Sequence, residues 1–126
     1  MITGRVLGGN LYPLVDLEFR DHNGAVNLVT FIVDTGNDFS LVMTPDLIAR
    51  LGLQELTGTT EITSATGDRR SARYYLAEVM WDGEFKLVRV IEGIAPLMGR
   101  ELMRSYSLSI EMRLGGLVSI TPLESW

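Results

Sequence analysis

The segment Phe31-Ile32-Val33-Asp34-Thr35-Gly36 carries the residues best suited to chemistry. An acidic residue ends an apolar run, and a small hydroxyl and a glycine follow it. Asp is rarely buried without a partner. A carboxylate held at the end of a core strand can take or give a proton during catalysis. Gly36 lets the backbone turn sharply and approach another chain closely. The plain alternative is a capped turn after a strand, and the tripeptide alone does not decide between the two. Other chemistries are poorly served. The chain has no cysteine and one histidine, His22. Cysteine–histidine catalysis and disulfides are therefore excluded, and a structural zinc site lacks ligands. His22 lies in Asp21-His22-Asn23-Gly24, which reads as a hairpin turn with a solvated histidine.

The elements that must position Asp34 are mostly strands. Val15, Leu17 and Phe19 alternate with Asp16, Glu18 and Arg20, the period of a strand with one wet face. The run from Val26 to Asp34 is apolar at almost every position, as in a strand covered on both faces. Thr44-Pro45-Asp46 then marks a helix start: a cap, a first-turn proline and an acid at the positive end of the dipole. Leu47, Ile48 and Leu51 give it a short apolar stripe, and Gly52 can stop it. Strands are expected again over Thr59–Ser64, Arg70–Trp81 and Glu84–Ile91, with a turn at Asp82-Gly83. A second short helix is expected over Arg100–Tyr106. A last hairpin pairs Ser107–Arg113 with Leu117–Thr121 around Gly115-Gly116. This pattern predicts an all-β fold, a small antiparallel β-barrel or sandwich with one or two short helices.

At 126 residues, a single domain over 1–126 is expected. Apolar residues make up 46% and charged residues 21%, as in a soluble globular protein. The net charge of −5, with no basic run, speaks against nucleic acid as a partner. No apolar stretch approaches the roughly 18 residues of a membrane span. The start, Met1-Ile2-Thr3-Gly4-Arg5, lacks the pattern of a signal peptide. A cytoplasmic protein without membrane attachment is the expectation, with no cofactor or metal.

A second motif follows the first in the order chemistry would need. Ile94-Ala95-Pro96-Leu97-Met98-Gly99-Arg100 precedes Glu101-Leu102-Met103. With Val33-Asp34-Thr35-Gly36 and a turn at Ala65-Thr66-Gly67 between them, the chain resembles the retropepsin-like aspartic proteases from about Leu14 to Ile120. It looks like the small free-standing microbial members. The resemblance implies the closed barrel of that family and an endopeptidase acting on peptides. Asp34 would be the catalytic carboxylate. Thr35 would hydrogen-bond across a two-fold axis, and Gly36 would let substrate backbone pass. Asp38 would anchor substrate and pair with Arg100. Ala65, Thr66 and Gly67 would form the tip of a substrate-covering flap, and Gly99 would support the loop with Arg100. Tyr74 and Tyr75 follow on the returning arm; one is expected to line the cleft and the other to pack against the barrel.

Such hydrolysis needs two carboxylates sharing a proton, and the chain has one Asp-Thr-Gly. A homodimer is therefore expected, since two-fold symmetry sets identical loops against each other. Asn37 departs from the family, which usually has Ala or Ser there. Its amide can donate to the carboxylate pair and favour the charged form, or it can simply suit a tight loop. The first possibility motivates an alternative: a catalytically silent dimeric module that binds peptides.

Overall fold

The structure is a computed structural model that describes residues 1–63 and 66–124. The described strands are β1 (Ile2–Leu7), β2 (Tyr12–Arg20), β3 (Val26–Val33), β4 (Leu41–Met43), β5 (Gln54–Thr63), β6 (Arg69–Trp81), β7 (Glu84–Glu92), β8 (Leu97–Met98), β9 (Tyr106–Ile110) and β10 (Leu117–Pro122). One helix, α1 (Pro45–Leu51), sits between β4 and β5. The fold is all-β, as expected.

The strands run in the order β5-β6-β7-β4-β8-β3-β2-β1-β10-β9. A further pairing of β2 with β6, at Phe19↔Val79 and Arg20↔Glu78, closes β2, β6, β7, β4, β8 and β3 into a ring. The ring is not wholly antiparallel. β3 runs parallel to β8 (Ile32↔Leu97, Val33↔Met98), and β4 parallel to β7 (Leu41↔Val90). Thus β8 is inserted between β3 and β4 and ties the two ends of the Asp34 loop together.

The alternation in β2 is realised: Val15, Leu17 and Phe19 are buried, and Asp16, Glu18 and Arg20 are exposed. Phe19 meets Phe31 of β3 with ring centroids 5.6 Å apart. Leu41, Met43, Leu51, Met98 and Leu102 are likewise fully buried or nearly so. Each such side chain contributes about 1.5–3 kcal/mol of transfer free energy. Helix α1 starts and stops as its sequence requires. Thr44 accepts the Leu47 N–H, and Gly52 ends it with φ 61°. His22 lies in its exposed turn but is not isolated. Its backbone N–H donates to the Leu51 carbonyl (3.0 Å), and its ring packs where a Cβ on Gly52 would be.

The expected second helix is absent. Residues 100–105 form successive turns, with Met103 N–H bonded to the Arg100 carbonyl and Arg104 N–H to that of Glu101. The segment's bonds span three residues instead of four, and Ser105 leaves it with φ 68°. No described helix is long and apolar enough to cross a membrane.

Candidate active site

Asp34 follows the last residue of β3. Its backbone N–H donates to the Met98 carbonyl (2.9 Å), continuing the β3–β8 ladder one step beyond the strand. Its carboxylate Oδ1 accepts the Gly36 N–H at 3.0 Å. Its carbonyl accepts the Asn37 N–H at 3.1 Å, which closes the turn. The carboxylate is half-buried, and Thr35 and Gly36 are exposed beside it.

Asn37 braces its own loop. Its Oδ1 accepts the Phe39 N–H at 2.8 Å, an Asx turn that fixes the following bend. The amide makes no bond to Asp34 within the chain among the described residues.

A strap made by the second motif runs beneath the loop. Gly99 N–H donates to the Ser40 carbonyl (2.9 Å), Arg100 N–H to that of Asn37 (2.8 Å) and Glu101 N–H to that of Phe39 (3.3 Å). The strap lies so close that a Cβ on Gly99 would collide with the Phe39 carbonyl oxygen. This explains the glycine in chemical terms: only a residue without a side chain lets two backbones touch here.

The structure brings together Asp34, Thr35, Gly36, Asn37, Asp38, Gly99 and Arg100. It does not pair Asp38 with Arg100: neither takes part in an ion pair within the single chain among the described residues. Arg100 enters the site through its backbone N–H instead. The Thr35 hydroxyl has no hydrogen-bond partner in the chain among the described residues.

The residues expected at the flap tip belong to the β5–β6 hairpin. Ala65 lies outside the described residues. The Thr66 hydroxyl donates to Asp68 Oδ2 (3.2 Å), and Gly67 turns the chain with φ 89°. The arms are bound by exposed ion pairs, Arg69–Glu61 (3.3 Å) and Arg73–Glu55 (3.5 Å). Arg70 Nη2 reaches the Glu92 carbonyl at 3.0 Å, tying the hairpin to the end of β7.

Between the end of the loop and β7, with Tyr74 of β6 at its side, lies a cleft of about 510 Å³. Asp38, Phe39 and Ser40 line it from the loop, Tyr74 from β6, and Lys86 and Arg89 from β7. Asp34 is not part of this lining, so the cleft adjoins the carboxylate rather than containing it. Tyr74 faces the cleft under the Arg89 guanidinium, 5.4 Å from the ring centroid. Tyr75 is buried, and burial pushes its phenol up from the ordinary value. Of the two tyrosines, Tyr75 packs into the barrel as expected of one of them. Glu101, also on the cleft wall, is held below the usual carboxylate range by the Arg104 guanidinium beside it.

Lys86 and Arg89 were not legible as residues of this cleft wall. They belong to an ordinary alternating strand, and only the parallel β4–β7 pairing carries them to the loop. Among the described residues, no group of three or more His, Cys, Asp and Glu side chains could hold a metal ion.

Two comparisons bear on this arrangement. Residues 17–117 match a family model described as aspartyl protease. Among solved structures, the chain is similar to the EIAV protease complexed with the inhibitor HBY-793, with a TM-score of 0.58 and 20% identity over 74% of this chain and 86% of that one. At that identity the likeness speaks for the fold. No curated protein gives a significant match.

Proposed function

The chain belongs to the aspartyl protease family, with a retropepsin-like fold, and from that premise we propose that it is an aspartic endopeptidase acting as a homodimer. The observation that carries this reading is the Asp34 loop itself. A half-buried carboxylate is oriented by the Gly36 N–H, beside an exposed Thr35 and Gly36, on a backbone strapped from below.

In a two-fold dimer, Asp34 would face Asp34 of the partner subunit. One proton shared between the two is the state such a pair adopts, because like charges this close do not both ionise easily. The ionised carboxylate would take a proton from water as that water attacks the peptide carbonyl carbon. The protonated one would donate to the carbonyl oxygen. The tetrahedral intermediate would then expel the amine as its nitrogen gains a proton and the C–N bond breaks. Thr35, with no hydroxyl partner in its own chain, would bond across the axis. Gly36 would leave room for substrate backbone, and the β5–β6 hairpin would cover the peptide as a flap, with Ala65, Thr66 and Gly67 at its tip.

The second reading is a catalytically silent dimeric module of the same fold that binds peptides. Asn37 spends its side-chain oxygen on the Phe39 N–H and serves the loop.

The test is a mixed peptide library incubated at about pH 5 with wild type and with Asp34→Asn, with cleavage sites read by mass spectrometry. Cuts made by wild type and lost in the variant are expected, with the rate falling as pH rises above about 6 and the shared proton leaves. Library binding without cuts by either protein would transfer the fold to the silent module.

A further inference from the structure

Strand β7 is paired along its whole length on one side and only at its far end on the other. Its register with β6 is continuous from Trp81↔Glu84 to Tyr74↔Ile91. On the other side, β4 meets only Val90, Ile91 and Glu92. The stretch from Glu84 to Arg89 therefore has one edge with no strand against it among the described residues. Most of that stretch, Lys86 to Arg89, forms one wall of the cleft.

The hydrogen-bond phase shows which backbone groups are open. Asp82 and Gly83, with φ 52° and 93°, make a two-residue turn, so Trp81 and Glu84 close the hairpin as a hydrogen-bonded pair. By alternation Lys86, Val88 and Val90 also bond to β6, while Phe85, Leu87, Arg89 and Ile91 face away from it. The Gly93 N–H, bonded to the Met43 carbonyl, continues that outward series. In the same parallel phase the Arg89 carbonyl serves the Leu41 N–H. The Arg89 N–H and the N–H and carbonyl of Leu87 are left without a backbone partner among the described residues.

The segment that would pair with them is turned away. If β4 continued back toward Asp38, Phe39 would stand opposite Val88. Instead the Phe39 N–H goes to Asn37 Oδ1 (2.8 Å), and its carbonyl accepts the Glu101 N–H (3.3 Å). Bracing the Asp34 loop thus leaves β7 unpaired. The side chains along this edge are weighted toward positive charge. Arg89 lies over the Tyr74 ring, and Lys86 stands on the same wall. Neither takes part in an ion pair among the described residues. Of the two acids in the lining, Glu101 is held by Arg104 at 2.6 Å, with Lys86 acting on it at longer range. Asp38 is the other. With Arg104 counted, the wall is net positive on a chain of net charge −5.

We propose that this edge is a second peptide site, apart from the catalytic pair, where an extended acidic segment of the protein substrate adds as a parallel strand beside β7. One residue of the segment would lie opposite Val88, giving its N–H to the Leu87 carbonyl and its carbonyl to the Arg89 N–H. A neighbouring Asp or Glu side chain would reach Arg89 or Lys86. Main-chain bonds of this kind supply affinity, and the side chains beside them supply preference. Resting on the protease reading, this gives the enzyme a hold on its substrate away from the bond it cuts. The cleft starts at Asp38, four residues after Asp34. That is at most about 14 Å of chain, which about four extended substrate residues cover.

The first measurement needs no catalysis. The Asp34→Asn chain, labelled with nitrogen-15, is titrated with acetyl-Val-Glu-Val-Asp-Val-Glu-amide and with its counterpart carrying Gln and Asn at the acidic positions. The acidic peptide should shift the amide signals of Leu87 and Arg89, slow exchange of the Arg89 N–H, and bind about tenfold more tightly than the neutral one. Lys86→Glu with Arg89→Glu, both at exposed positions, should abolish that preference. In the second measurement each segment is joined to a peptide that wild type cuts. The acidic extension should raise kcat/KM about tenfold over the neutral one, through KM, for wild type and not for the double variant. Shifts confined to residues 34–37, or equal affinity for the two peptides, would overturn the acidic edge site and leave the protease reading intact. Shifts of Leu87 and Arg89 that grow with protein concentration in the absence of peptide would assign the edge to a second copy and overturn the proposal too. Preferential binding at Leu87 and Arg89, with no peptide cut by wild type, would overturn the protease reading and keep the edge as a binding site.

Discussion

Both the Asp34 loop and the β5–β6 hairpin contribute to the cleft, yet they are held by different forces. The loop from Asp34 to Ser40 receives three backbone bonds from Gly99, Arg100 and Glu101, and a fourth bond runs from Asp34 to Met98. The outer hairpin relies on its own ladder, on ion pairs between exposed side chains and on one side-chain bond from Arg70 to the Glu92 carbonyl. Such pairs are worth little, with a median near 0–1 kcal/mol. Backbone bonds at a crowded junction cannot be exchanged for water without moving two elements at once. Under the proposed function the difference would separate two tasks. A carboxylate that shares a proton must be placed within a fraction of an ångström, whereas a cover over a peptide must open and close.

Gly99→Ala strikes the rigid side hardest. The new methyl would push Phe39 away from the strap, with an expected loss of about 3 kcal/mol in urea denaturation. A loss below about 1 kcal/mol would mean that the strap yields, and the contrast with the hairpin would weaken. Asn37→Ala removes one bond from the same loop. It should cost about 1 kcal/mol and lower kcat more than it raises KM, because it loosens the residues next to Asp34. Arg73→Ala, on the hairpin, should cost less than about 0.5 kcal/mol. Its effect is expected mainly in KM. A stability loss as large as that of Gly99→Ala would show that the hairpin carries the fold, and the comparison would break.

The same division decides what was legible in the sequence. Long elements with a clear period were readable: β2 from Val15-Leu17-Phe19, α1 from Thr44-Pro45 and Gly52, and β6 and β7 from their flanking turns. Asp34 and Gly99 were readable because each needs a particular residue type. The pieces that join them were not. β4 has three residues and β8 has two, too few for any periodicity to show. Their strand character comes from neighbours supplied by distant parts of the chain. The first strand, β1, went unread because Gly4 and Arg5 interrupt its apolar pattern; it is held in place by β2 and β10. Arg100–Tyr106 misled in the other direction. Its composition suits a helix, but its bonds close three-residue turns and its last turn passes through Ser105 at positive φ. The Asp38–Arg100 ion pair was carried over from the family resemblance, and a shared motif does not fix where long side chains point.

The insertion of β8 between β3 and β4 also has a consequence during synthesis. Asp34 leaves the ribosome roughly sixty residues before Met98 does, an interval of several seconds at ordinary elongation rates of about 5–20 residues per second. Until then its backbone N–H has no Met98 carbonyl to meet, and the loop has no strap. A growing chain thus carries the carboxylate without the means to aim it. Under the proposed function, nascent chains would be held inactive until residues 97–101 have emerged.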